Sequence, residues 1–217
     1  MKLSMLVVLL AALALVLSGC GGLSEAEQHY NAGVEFDDEG KWNEAISEYS
    51  EAIELDPEMA MAYNNRGTAY FNLGQTQRAI QDFDEAIRLD PQFAMAYNNR
   101  GNAYLNLGQL ERAIQDYDEA IRLNPQDAEA YNNRGLVYLN LGQYERAIQD
   151  LDEAIRLDHE YADAYYNRGT IYVNLGQPQR AIQDYDEAIR LNPEFRQAYN
   201  NRGLAYDNLG QPQRAIQ

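Results

Sequence analysis

Small and apolar side chains recur at helical spacing along most of this chain. Tyr63, Gly67 and Tyr70 follow one another at intervals of four and three, and Ala79 and Phe83 repeat the pattern a few residues later. Residues three and four apart lie on one face of a helix. The pattern therefore predicts two consecutive helices that pack antiparallel through their small and aromatic faces.

The same 34-residue unit recurs in register, with glycine always at position 8 and alanine always at position 20. Such a period is the signature of a solenoid, in which each unit packs only on its neighbours. The copies begin at Ala26, Ala60, Ala94, Ala128, Ala162 and Arg196. We therefore predict five repeats at 26–59, 60–93, 94–127, 128–161 and 162–195, and a truncated sixth at 196–217.

The connections between helices carry their own signals. Gly74 follows the last periodic residue of a first helix, where glycine can adopt the left-handed conformation that ends a helix. The pair Asp90 and Pro91 predicts an N-cap followed by the first residue of the next helix. Arg78 with Asp82, and Asp84 with Arg88, stand four residues apart, which favours ion pairs along one helix.

These residues resemble the tetratricopeptide repeat family. In the second copy the small and aromatic positions of the family are met by Gly67, Tyr70, Ala79, Phe83, Ala86 and Pro91. Three departures are tyrosine for tryptophan at position 4, arginine for leucine at position 7, and Leu151 for an aromatic residue. The resemblance extends from Ala26 to Gln217 and implies an all-α fold: a right-handed α-α superhelical solenoid of tandem helix-turn-helix repeats. The first helices of the units would line an inner face that holds a peptide or a helix of a partner.

The N-terminus predicts export and lipidation. Lys2 precedes an uncharged apolar run of 13 residues. A helix needs about 20 residues to span a bilayer, so this run is too short to do so, but its length is typical of a signal peptide. The run ends in Leu-Ser-Gly-Cys, which resembles a bacterial lipobox, where cleavage leaves an acylated cysteine, carrying for example palmitate. We predict a signal peptide at 1–19, a lipidated Cys20 and a linker at 20–25; an ordinary signal peptide with an incidental cysteine is the alternative.

These features predict a location in the cell envelope, lipid-anchored and outside the cytoplasm. Gly21 is not the aspartate that resembles an inner-membrane retention signal, which favours the outer membrane if the cell has one. Ser24 and Glu27 form a capping-box pattern that places the first helix start close to Ser24.

Charge narrows the class of partner. The chain carries a formal charge of −17, and loss of Lys2 with the signal peptide would leave 16 basic against 34 acidic residues. Lys41 would be the one remaining lysine, so the sequence offers no basic patch for nucleic acid or for anionic lipid. An acidic field favours a protein or peptide partner with basic segments. The alternative is that the acidity only keeps the solenoid soluble.

Catalytic chemistry is not predicted. His29 and His159 are the only histidines and lie nearly four repeats apart, while the carboxylates recur with every unit instead of forming one distinct site. No glycine-rich phosphate loop is present. We expect no catalytic residue, metal, cofactor or small-molecule substrate.

Asparagine side chains are the candidate binding groups. Asparagine recurs at positions 6 and 13 of the copies. These positions are seven residues, or about two helical turns, apart, so the two sets of asparagines lie on one face of the first helix and stack from unit to unit. An amide donates and accepts, and a row of amides can bind a peptide backbone whatever its sequence. The row is similar to the asparagine ladder in the repeat region of O-linked N-acetylglucosamine transferase. Inheritance of the asparagines by duplication, with no ligand contact, is the alternative.

We predict peptide contacts from Asn65, Asn99, Asn133, Asn167 and Asn201 at position 6, from Asn72, Asn106, Asn140 and Asn174 at position 13, and from Asn64, Asn98 and Asn132 at position 5. Positions 2, 5 and 9 vary between copies and are expected to set specificity. Met61 and Met95 would contact apolar groups, whereas Glu129 and Asp163 would favour a basic side chain.

The arginine at position 7 is expected to be structural, because a buried guanidinium needs a carboxylate partner. The candidate partners are the aspartates at positions 23 and 25. The first copy has Ala32 in place of the arginine and Ser50 in place of the position-25 aspartate. Because both residues are replaced together, we predict a pair between positions 7 and 25 of one copy, for example Arg100 with Asp118.

The function predicted from these features is a membrane-anchored, non-catalytic protein-binding scaffold. Two alternatives stay open. One is an accessory lipoprotein of a pilus-assembly or outer-membrane-assembly machine. The other is the N-terminal repeat region of a larger sensor or enzyme.

Overall fold

The computed structural model describes residues 22–215, which form twelve helices and no strand. The helices are α1 Glu25–Asp38, α2 Trp42–Leu55, α3 Ala60–Asn72, α4 Thr76–Leu89, α5 Ala94–Asn106, α6 Leu110–Leu123, α7 Ala128–Asn140, α8 Tyr144–Leu157, α9 Ala162–Asn174, α10 Pro178–Leu191, α11 Arg196–Asn208 and the four-residue α12 Pro212–Ala215. We call the odd-numbered helices A helices and the even-numbered ones B helices.

Each of the A helices α1 to α9 packs most extensively on the B helix that follows it, and the B helices α2 to α10 each pack on the next A helix. The A helices of neighbouring copies also contact each other. Within residues 22–215 the B helices of neighbouring copies do not. The array therefore curves toward its A helices, which line the inner face. The all-α solenoid predicted from the repeat is confirmed.

Glycine at position 8 allows the A and B helices of one copy to approach closely. A Cβ atom on Gly101 would lie 2.7 Å from Cε1 of the buried Tyr117 ring, a distance at which the ring would have to move. At Gly135 the opposite residue is Leu151, and the closest atom would be 3.1 Å away. The size of the position-24 side chain thus decides how strictly glycine is required.

Gly74 has a φ of +72°, which confirms the left-handed helix end predicted for it. The prediction for Asp90 and Pro91 is wrong. Asp90 is the C-cap of α4, with extended backbone, and its Oδ1 accepts a hydrogen bond from the Gln92 N–H at 2.9 Å. The residue before a proline avoids the helical region, so the chain makes a turn here and α5 begins only at Ala94.

The capping box at the start of α1 is confirmed. The Ser24 Oγ accepts from the Glu27 N–H at 3.2 Å, and the Glu27 carboxylate accepts from the Ser24 N–H at 2.7 Å. The predicted signal peptide and the predicted lipid site at Cys20 lie outside the described residues. None of the helices in residues 22–215 is long and apolar enough to cross a membrane.

Candidate functional site

The inner face exposes the side chains at positions 2 and 13 of the A helices. Met61 and Met95 are 54% and 56% exposed, and Glu129 and Asp163 occupy the same position, also exposed, in the next two copies. The position-13 residues Asn72, Asn106, Asn140 and Asn174 are exposed as well. These two rows form the surface that a ligand would meet first.

The position-5 asparagines lie beneath that surface, not on it. Asn64, Asn98 and Asn132 are 1%, 4% and 5% exposed. The next copy covers them: Asn64 Nδ2 lies 3.9 Å from the Met95 sulfur, and Asn98 Nδ2 donates to Glu129 Oε1 at 3.3 Å. The prediction that position 5 contacts a ligand does not fit this burial, and the three side chains instead support the position-2 row.

The position-6 asparagines hold the A helices together. Asn99, Asn133 and Asn167 each donate through Nδ2 to the position-5 amide oxygen of the preceding copy, at 3.0, 3.3 and 3.0 Å. In Asn65 and Asn201 the acceptor is the hydroxyl of Tyr30 or Tyr166, at 3.1 Å in both cases. We call this row of contacts the asparagine ladder.

The asparagine ladder uses one N–H of each amide, and an amide has two. The position-6 side chains are half-buried. Asn99 also donates through Nδ2 to the Thr68 hydroxyl at 3.5 Å, so a second donor is left for a ligand at Asn65, Asn133, Asn167 and Asn201. Peptide contact by position 6 stays a prediction.

At position 13, Asn106 accepts a hydrogen bond from the Thr76 hydroxyl of the preceding copy at 3.2 Å. Asn72, Asn140 and Asn174 make no side-chain hydrogen bond to any residue of the described part. Their amides face solvent, and peptide contact by position 13 also stays a prediction.

The arginine at position 7 joins three helices. Arg100 on α5 donates through Nε and Nη2 to both oxygens of Asp116 on α6, at 2.8 and 2.7 Å. Its Nη1 donates to Asp84 on the preceding B helix at 2.7 Å. Arg134 and Arg168 repeat this arrangement.

Position 23 of the same copy and position 25 of the preceding copy are thus the partners. The predicted pair between Arg100 and Asp118 is wrong, since Asp118 accepts from Arg134 of the next copy. Burial alone would lower the pKa of the Arg100 guanidinium, but the hydrogen bonds and charges of Asp116 and Asp84 outweigh it and raise the pKa. The guanidinium also lies over the Tyr97 ring, with 5.5 Å to its centroid.

The ion pairs predicted along single helices are also wrong. Arg78 donates to Gln75 and lies over the Tyr70 ring, while Arg88 pairs with Glu85 three residues before it. Asp82 and Asp84 pair instead with position-7 arginines that are 18% exposed. Asp82 accepts from Arg66 with both carboxylate oxygens, and Asp84 accepts from Arg100.

The first copy replaces the arginine cluster with a histidine pair. His29 Nδ1 lies 2.6 Å from Glu48 Oε2, at positions where later copies have tyrosine and aspartate. This hydrogen bond is the main cause that raises the pKa of His29. The Ser50 hydroxyl accepts from Arg66 Nη1 at 3.1 Å, in place of the position-25 carboxylate.

Asp37 is a further polar residue that the sequence pattern did not single out. The Tyr49 hydroxyl donates to Asp37 Oδ2 at 2.7 Å, and Oδ1 is buried without a partner among the described residues. Burial raises the pKa of this carboxyl. The available signal was its place at position 12, where the next four copies have Phe71, Leu105, Leu139 and Val173.

Residues 22–215 contain no group of three or more His, Cys, Asp and Glu side chains arranged to hold a metal ion. The side chains that recur on the inner face are amides, thioethers and carboxylates, which can hydrogen-bond, pack and pair with charge. The site is therefore suited to recognition of another molecule.

Comparison with known families identifies the repeat. The family model described as TPR repeat matches residues 33–74, 67–108, 101–142 and 138–176. Two further models described as tetratricopeptide repeat match residues 162–195 and 184–217. These matches cover most of the chain without a break. No curated protein sequence matches it.

Solved structures agree with this assignment. The crystal structure of MamA protein is 30% identical, with a TM-score of 0.64 over 74% of this chain and 87% of MamA. YrrB, described as a TPR protein with an unusual peptide-binding site, is 26% identical, with a TM-score of 0.62 over 80% of this chain and 90% of YrrB. PilW, described as a widely conserved type IV pilus biogenesis factor, is 18% identical, with a TM-score of 0.83 over 90% of each chain. The chain belongs to the tetratricopeptide repeat family.

Proposed function

We propose that the protein is a membrane-anchored, non-catalytic scaffold whose inner face holds a peptide or a helix of a partner protein. One observation carries the proposal: in copies 2 to 5 the A helices keep a buried alanine at position 3 and a buried glycine at position 8, while the exposed position-2 residue changes from methionine to glutamate and aspartate. A constant framework that presents variable side chains is suited to recognition, because the framework fixes the geometry and the variable residues select the ligand.

Two further facts support binding of a protein. YrrB, at 26% identity, is described as having a peptide-binding site. The net charge of −17 favours a partner with basic segments and disfavours nucleic acid.

The proposed anchor is acylated Cys20, which would place the scaffold outside the cytoplasm in the cell envelope, at the outer membrane if the cell has one. The sequence Leu-Ser-Gly-Cys supports it. Incorporation of labelled palmitate into the full chain, expressed in a bacterium, tests the anchor. Cys20→Ser should abolish the label, and an unchanged label would contradict lipidation at this residue.

An accessory role in pilus assembly is a second candidate. The likeness to PilW supports it only at the level of fold, because the two chains are 18% identical. A partner that proves to be a pilus-assembly protein would select this candidate.

A capture experiment tests the scaffold. The wild-type chain is compared with a variant in which Met61, Met95, Glu129 and Asp163 are all changed to alanine, and envelope proteins retained by each are identified. The control variant changes four exposed B-helix glutamines to alanine: Gln81, Gln115, Gln149 and Gln183. A partner retained by the wild type and the control but lost by the inner-face variant supports the proposal. Equal retention by all three, at equal helical content, contradicts it.

A further inference from the structure

The inner face is divided into two parts of different chemistry. In copies 2 and 3 the position-2 residues are Met61 and Met95, each more than half exposed. Both are long, flexible and polarisable, which suits them to pack on a bulky apolar side chain. Two exposed methionines in consecutive copies therefore offer an apolar contact to a partner.

In copies 4 and 5 the same position is acidic. Glu129 and Asp163 stand where the methionines stood, and Asp127 lies beside them as the N-cap of α7, with Oδ1 accepting from the Glu129 N–H at 3.1 Å. None of these carboxylates pairs with an arginine or lysine of the described residues, whereas the position-23 and position-25 aspartates of the same copies are all paired. The negative charge here is therefore not neutralised within the described part of the chain.

A tyrosine lies between these carboxylates. Tyr161 is half-buried, and burial is the main cause that raises the pKa of its hydroxyl. The negative charges of Glu129, Asp163 and Asp127 raise this pKa further. Tyr161, Glu129, Asp127 and Asp158 line an open cavity of about 440 Å³. An aromatic ring with carboxylates around it attracts a cationic side chain through both charge and the ring face.

We infer that the partner segment has two parts: bulky apolar side chains that pack on Met61 and Met95, and a lysine or arginine that enters the cavity at Tyr161. This inference rests on the proposed function and specifies the partner's composition. A second copy of this chain is disfavoured as the occupant, because two surfaces of like charge repel and the position-7 arginines are already paired.

Selection from a displayed library of random 12-residue peptides tests the inference. The targets are the wild-type chain, a neutral variant carrying Glu129→Gln and Asp163→Asn, an apolar-site variant carrying Met61→Ser and Met95→Ser, and a control carrying Gln81→Ala and Gln115→Ala. The circular dichroism spectrum of each variant is compared with that of the wild type before selection.

We expect peptides enriched on the wild type and the control to combine Lys or Arg with Leu, Ile, Phe or Met. The neutral variant should bind a synthetic copy of such a peptide about tenfold more weakly and with less dependence on salt, since charge-assisted contacts are lost. The apolar-site variant should lose the preference for apolar residues but keep that for basic ones.

The two proposals can fail separately. If no peptide is enriched on the wild type, the peptide-binding function is contradicted. If peptides are enriched but lack basic residues, or bind the neutral variant as tightly as the wild type, the function stands and the bipartite assignment is overturned.

Discussion

Removal of Arg134 should be one of the most damaging single changes in the array. Its Nε and Nη2 donate to both oxygens of Asp150 at 2.8 and 2.7 Å, and Asp150 is 6% exposed. Arg134→Ala would leave that carboxylate buried without its cation. Breaking a buried pair in this way costs about 3–5 kcal/mol. The guanidinium would also be lost from the Tyr131 ring, 5.7 Å away.

The third partner provides a matched control. Asp118 accepts from Arg134 Nη1 at 2.6 Å, but its side chain is 53% exposed. Asp118→Ala leaves the bidentate pair intact and removes an ion pair that water screens, which is worth about 0–1 kcal/mol. Asp150→Ala should fall between the two, because it leaves the arginine with one carboxylate.

Urea unfolding followed by circular dichroism gives the free energies. Because a repeat array can unfold in parts, hydrogen exchange by peptide should locate the loss in copies 3 and 4. Double-mutant cycles should show strong coupling between Arg134 and Asp150, and none between Arg100 and Asp118, which do not touch. Equal costs for Asp118→Ala and Arg134→Ala, or an uncoupled Arg134–Asp150 cycle, would contradict a buried ion pair that stabilises the array.

Three further predictions follow from single contacts. Asn99→Ala should lower the free energy of unfolding by about 1–3 kcal/mol, because it leaves a buried amide oxygen in the preceding copy without its donor. Asn140→Ala, which removes an exposed amide, should stay within about 0.5 kcal/mol of wild type. Similar losses for the two variants in urea unfolding would contradict the asparagine ladder. Gly101→Ala should cost about 1–3 kcal/mol, because the new Cβ meets a tyrosine ring. Gly135→Ala, opposite a leucine, should be nearly neutral, since better helix propensity offsets the tighter contact. Urea unfolding measures both losses, and a larger loss for Gly135→Ala would contradict the packing of position 8 on position 24. The hydrogen bond to Glu48 raises the pKa of His29, so the stabilising contribution of this histidine is complete below its unfolded pKa of about 6.5 and is lost as pH rises through the higher folded pKa. Hydrogen-exchange protection of α1 should therefore fall as pH rises above the unfolded value. His29→Gln should remove that dependence, and an unchanged profile would exclude the histidine as its source.

The fold could be predicted from the sequence because its determinants are local or repeat at a fixed interval. Gly67 and Phe83 indicate by type and spacing that two helices touch, and the same signal returns in each copy. The interval also fixes which elements are neighbours. The error at Pro91 came from a local ambiguity: Asp-Pro can start a helix or make a turn, and here Asp90 caps a turn.

The pairing partners could not be predicted for a physical reason that repetition itself creates. When neighbouring copies are nearly identical, a carboxylate of the same copy and one of the preceding copy have the same residue type, so sequence cannot tell Asp118 from Asp84 as the partner of Arg100. The geometry decides, because the donors lie along the edges of the planar guanidinium, and these edges meet the B helix of the same copy and that of the preceding copy.

The burial of position 5 was missed for a related reason. Variation between copies suggested a surface position, yet the cover comes from position 2 of the next copy. One signal was available at position 5. Copies 2 to 4 have asparagine there, and copies 1 and 5 have Tyr30 and Tyr166. Each of these side chains carries an oxygen that can accept a hydrogen bond from the position-6 asparagine of the next copy. The exposed position-2 residues were easier to predict, because the place of Met95 and Glu129 on the exposed side of their own helix does not depend on a residue of another copy.

We propose that the position-2 row of the inner face holds the partner. Labelling the methionine methyl groups and adding a library-selected peptide tests it most directly. Met61 and Met95 are exposed, whereas Met59 is half-buried against the cluster of Ala52, Ile53 and Ala62 and serves as an internal reference. We expect that the methyl signals of Met61 and Met95 shift with peptide concentration, that the Met59 signal changes less, and that Met61→Ser with Met95→Ser weakens binding. A peptide that binds without moving either exposed methyl signal would contradict the claim and place the contact elsewhere on the solenoid.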